Sequence, residues 1–163
     1  MKRLLWILFF AATNIGFSQE LPTEPAKGFA FPIGSKFTIK LHPTDSVRFD
    51  YSIIAYEQFQ ETIDTWNNNH LFDENGQEGT IEFYFCFGTR GKTEEEKREN
   101  MKVLLVMKNR TKYALSYLSD IQIKEDGELQ ETSNAGTYPG VKGIEMWPYM
   151  IYQIGIHDFE IKK

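Results

Sequence analysis

The chain is poor in four things, and each shortage argues against a class of protein. It has one cysteine, Cys86, among 163 residues, so no disulfide can form within it. A surplus of basic side chains is also missing. With residues 1–18 set aside, because they hold Lys2 and Arg3 and no acid, the other 145 residues carry 16 basic and 23 acidic groups, a net charge of −7. Nucleic-acid binding needs clustered Lys and Arg against phosphate, and this balance argues against it. No apolar run reaches the roughly 20 residues that cross a bilayer; residues 4–12 form a run of nine. Finally, the chain has no long amphipathic helical pattern and no repeat at a fixed period. What remains is the length of one domain, enough to bury about 68 to 70% of the unfolded surface without a staple.

The N-terminus has the tripartite layout of a secretory signal. Met1, Lys2 and Arg3 start it, the nine apolar residues follow, and the small residues Gly16 and Ser18 precede Gln19. Cleavage is expected after Ser18, which leaves no membrane anchor and sends the mature chain to the periplasm or outside the cell. The ending Gly-Phe-Ser before Gln-Glu is similar in style to signal ends of exported Gram-negative proteins. Cys86 lies in Phe83-Tyr84-Phe85-Cys86-Phe87, where a free thiol behaves as a small buried hydrophobe.

Residues 19–34 hold Pro22, Pro25 and Pro32 and read as an extended lead-in, at most a sheet edge. Residues 35–163 read as a single β domain. Residues 36–41 alternate with Phe37, Ile39 and Leu41 on one side, and Val47, Phe49, Tyr51 and Ile53 repeat the pattern. Period two means half-buried strands. Residues 56–66 are ambiguous, because Tyr56, Phe59, Ile63 and Trp66 also fit helical spacing. Ile81, Phe83, Phe85 and Phe87 mark the clearest strand, residues 103–107 a core strand, and residues 113–123 another. Thr93 with Glu96 forms a capping box for one or two helical turns in a charged, solvated excursion. Asp126-Gly127 is a hairpin signal. The fold class expected is all-β: an immunoglobulin-like or Greek-key β-sandwich of seven or eight antiparallel strands, with a jelly-roll or small barrel as the alternative.

Chemistry is thinly represented. His42, His70 and His157 lie in none of the motifs of nucleophilic, metal or thiol catalysis. Asp73, Asn75 and Glu78 make a weak surface Ca²⁺ candidate, since an EF-hand alignment on Gly76 puts Leu71 where a carboxylate is required. Gly88-Thr89-Arg90-Gly91-Lys92-Thr93 fails the P-loop spacing, and no cofactor is implied. Asn109-Arg110-Thr111 reads as a turn, and Asp45-Ser46-Val47 resembles a bacterial O-glycosylation acceptor. Twenty of the 145 mature residues are aromatic, and Trp66, Trp147, Tyr149 and Tyr152 stand at loop or strand-end positions. They are the candidate ligand or interface residues, with Trp147 also read as a packing plug. The expectation is a non-catalytic exported module for a protein or envelope partner. A carbohydrate-binding module and a small hydrolase with a scattered site are the alternatives.

Overall fold

The computed structural model describes residues 21–162; the expected signal segment, residues 1–18, lies outside them. The described chain is all-β apart from one helix and a single 3₁₀ turn. In order it comprises β1 (Gly28–Pro32), β2 (Ser35–Pro43), β3 (Arg48–Gln58), β4 (Thr62–Asp64), β5 (Thr80–Thr89), α1 (Glu94–Glu99), β6 (Lys102–Asn109), β7 (Leu115–Gln122), β8 (Gln130–Thr132), β9 (Lys142–Trp147) and β10 (Gln153–Ile161). All ten strands belong to one sheet, ordered β8-β7-β10-β3-β2-β5-β6-β9, with β1 on β10 and β4 on β5. Every pairing is antiparallel except β4 on β5.

The sheet curls into a half-barrel, so the alternating apolar faces read from the sequence meet one another inside it. Phe37 and Ile39 of β2, Phe49, Tyr51 and Ile53 of β3, and Ile81, Phe83 and Phe85 of β5 enter one core with Leu115, Tyr117 and Phe159. The rings of Phe31 and Phe37 stack at 3.6 Å and those of Phe37 and Phe83 at 5.0 Å. The Tyr51 hydroxyl donates to Ile156 O at 2.6 Å and accepts from Phe29 N–H at 2.9 Å, so a buried phenol ties β1 and β10 to β3. The two edges of the sheet approach through side chains: Trp147 Nε1 lies 3.5 Å from Thr132 Oγ1, and Glu145 accepts from Ala135 N–H at 2.7 Å.

Strands β5 and β6 are buried on both faces, which accounts for the apolar runs at residues 83–87 and 103–107. On the convex side, residues 59–72 cover Tyr84, Cys86, Leu104 and Val106 with Ile63, Phe59, Leu71 and Phe72. This cover settles residues 56–66: β3 runs on to Gln58 and β4 follows, with no helix. The Asp126-Gly127 signal falls in a β7–β8 hairpin, as expected, whose last pair is Ile121 with Gln130. The lead-in supplies β1, and Pro32 sits at its end. Thr93 caps α1 through Glu96 N–H while Glu96 reaches back, as the capping box requires.

β10 carries a bulge between His157 and Glu160, where Asp158 adopts φ 52°. An Asp tolerates this left-handed conformation better than most side chains. The bulge redirects the strand: its first half pairs with β1 and its end with β3.

Candidate functional site

The four aromatic candidates are carried by different parts of the fold. Trp66, 56% exposed, rides on the convex cover. Its carbonyl lies 3.5 Å from Lys142 Nζ, which donates at 2.6 Å to the buried Asn68 side chain and so pins the cover to β9. Burial, with Lys108 nearby, lowers the Lys142 pKa. Trp147 is 6% exposed and belongs to the core, the position of a packing plug. Tyr152 is half-buried and joins β7 to the β1–β2 turn through its backbone, donating to Gln122 O and accepting from Ile33 N–H. Tyr149 is 50% exposed and follows Pro148 at the end of the half-barrel where β9 turns into β10.

The Asp73 loop is organised by its own hydrogen bonds. Asp73 Oδ1 accepts from Asn75 N–H at 2.8 Å, and the Arg110 guanidinium donates to Asp73 O. Arg110 fills the space beside Gly76, where even a Cβ would collide with it. A guanidinium therefore stands against the Asp73 carbonyl that a cation would approach, while Asn75 and Glu78 are exposed.

Each histidine that pairs has a local role. His42 Nε2 meets Ser52 Oγ at 2.8 Å across the β2–β3 pair. His157 is held on both ring nitrogens, Nδ1 at 2.7 Å from Asp158 and Nε2 at 3.0 Å from Asp120. Burial works to lower its pKa, but the hydrogen bonds and charges of Asp158 and Asp120 outweigh it, and the net shift is upward. The Cys86 thiol is 1% exposed and its pKa is pushed up to about 12 by burial. A thiol in that state is a poor nucleophile and metal ligand.

The clearest concave surface lies where β5 gives way to α1, opposite the Asp73 loop. A cleft of about 530 Å³ opens between β4 and α1, lined by Thr62, Ile63, Asp64, Thr89, Arg90, Gly91, Glu94, Lys97, Arg98 and Met101. Met101 also lines a neighbouring hollow of about 200 Å³ with Phe87, Lys102, Val103, Pro148, Tyr149 and Met150. Pairing of Val103 with Trp147 brings these two stretches of chain together. Three of the hollow's side chains face solvent: Met101 at 40%, Tyr149 at 50% and Met150 at 36% exposure. Apart from Tyr149, none of the hollow's residues is a site candidate in the sequence, because the pairing that unites them is nonlocal.

The charges of the cleft are unevenly spent. Asp64 is fixed by accepting from Asn67 and Trp66 N–H groups, which also hold its pKa below the usual range. Lys97 pairs with Glu94 at 2.7 Å, and its carbonyl accepts from the Thr89 hydroxyl. Glu96 turns back to cap α1 through Lys92 and Thr93 N–H. Among the described residues, the guanidiniums of Arg90 and Arg98 make no ion pair and no hydrogen bond, although both line the cleft. Compared with protein-family models, curated proteins and solved structures, the chain matches none significantly.

Proposed function

We propose that the mature chain is an exported, non-catalytic binding module that holds a protein or envelope partner at the α1 end of the half-barrel. The observation that carries this reading is the hollow of about 200 Å³ in which Met101, Tyr149 and Met150 face solvent around Phe87 and Pro148. Single exposed apolar side chains are ordinary on a folded surface; here three of them adjoin in one hollow, the clustering that interaction sites share. Tyr, Phe and Met are the side chains enriched at interface centres. The layout of residues 1–18 supports export.

Two measurements test it. The full chain, expressed in a Gram-negative host, is expected in the periplasmic fraction or medium with Gln19 as its first residue; recovery with Met1 intact contradicts export. A photo-crosslinking residue at position 149 is expected to give a discrete adduct that the same residue at position 118, exposed on β7, does not. Equal labelling at both positions contradicts the assigned face. The carbohydrate alternative draws support from Trp66, the most exposed of the large apolar side chains among the described residues. Glycan-array binding lost in Trp66→Ala would favour it.

A further inference from the structure

Four arginines lie among the described residues, and the fold uses them in two ways. Arg48 pairs with Asp45 at 3.2 Å, and Arg110 meets Glu82 at 3.5 Å and the Asp73 carbonyl. Arg90 and Arg98 line the α1 cleft, and among the described residues neither has an ion-pair partner. Of the cleft's other charges, Lys97 and Glu94 neutralise each other, while Asp64 accepts from backbone N–H groups and keeps its negative charge. Glu95 and Glu99 do not line it. In a chain of net negative charge, the cleft's lining sets three cations against two carboxylates, a net charge of +1, and Lys102 adds to it from the adjoining hollow.

Resting on the binding-module reading above, we infer that this surface takes an acidic protein segment carrying an apolar anchor. A carboxylate of the segment sits on Arg90 and Arg98, and a neighbouring apolar side chain enters the hollow beside Met101, Tyr149 and Met150. The planar guanidinium presents paired donors that match a carboxylate's two oxygens. The hollow's two methionines are flexible and polarisable, suited to gripping an apolar side chain of irregular shape. Stacking a sugar ring calls instead for flat aromatic faces, and only Tyr149 is both aromatic and strongly exposed there. Met101 lines both cavities, so one short segment reaches both without a gap.

The test is selection from a library of random displayed peptides on the protein expressed from its full sequence, run in parallel on three forms. The native form is expected to enrich peptides combining Asp or Glu with Leu, Phe or Met, their binding falling as salt rises. The Arg90→Ala/Arg98→Ala form is expected to bind those peptides at least about tenfold more weakly. The Arg90→Glu/Arg98→Glu form is expected to enrich basic peptides in their place. Both arginines are exposed, so circular dichroism should report an unchanged fold in each form. If peptides enrich without acidic residues, depend on Tyr149 and Met150, and ignore the arginine changes, the acidic assignment is overturned while the module reading stands. If no peptide enriches on any form, both fall. Binding of uronate- or sulfate-bearing glycans that is lost with the arginines, without peptide enrichment, overturns the protein segment in favour of an acidic glycan.

Discussion

Arg110 and the pair Arg90 and Arg98 stand at opposite ends of the same two strands, β5 and β6, and they do opposite work. At the β6–β7 end, Arg110 has a side chain only 9% exposed and pairs with Glu82, itself 16% exposed. Around it the chain is closed by its own polar groups. The buried Asn109 donates to Tyr113 O at 2.9 Å and accepts from Thr111 N–H at 2.8 Å. At the α1 end the backbone is likewise capped, but the guanidiniums and the Met101–Tyr149–Met150 surface are left without partners among the described residues. The contrast teaches that, of these three arginines, the one that holds the sheet together is paired and the two at the α1 end are left open.

The comparison can be broken from its structural end first. Arg110→Ala leaves the Glu82 carboxylate largely buried without its partner and is expected to cost about 3 kcal/mol in urea unfolding, the lower range for breaking a buried pair. Loss of less than about 0.5 kcal/mol, the size of an ordinary surface change, would put Arg110 in the same class as the free arginines. Asn109→Ala removes both turn bonds and is expected to cost roughly 2 kcal/mol by the same measurement, the desolvation cost of groups left unpaired. At neither end, His157 supplies a reference in which charge is exchanged with pH. Its pKa is raised by Asp158 and Asp120 against the effect of burial. Its stabilising contribution is therefore complete below the ordinary value of 6.5 and is lost as pH rises through the raised folded-state pKa. His157→Gln is expected to flatten the stability profile over that window; an unchanged profile would remove the ring from the account. Smallest of all, Arg90→Ala/Arg98→Ala is expected to shift unfolding by no more than about 0.5 kcal/mol. A larger loss would show that these residues hold the fold.

Much of this fold is legible in the sequence because its strands announce themselves locally. The alternation of Phe37 with Ile39, the run at Ile81, Phe83 and Phe85, and the Thr93–Glu96 capping box each state a conformation within a few residues. The path of residues 56–66 is not legible, because Ile63 is buried by the convex face of β5 and β6, which its own neighbours do not encode. The candidate surface is hidden for a related reason. Met101 and Tyr149 are far apart in the chain and meet through the β6–β9 pairing, and Arg90 and Arg98 look like any members of a solvated charged excursion. Of the aromatic candidates, Trp147 is consumed by the core, and only Tyr149 falls on the surface that the geometry favours.

The measurement that bears most directly on the central claim is amide chemical-shift mapping of the ¹⁵N-labelled protein titrated with the strongest acidic peptide from the selection. The account predicts perturbations confined to Phe87, Arg90, Arg98, Met101, Tyr149, Met150 and their neighbours, with none at Arg110 or the Asp73 loop. Perturbations centred on the β6–β7 turn or on the convex face around Trp66 would contradict it.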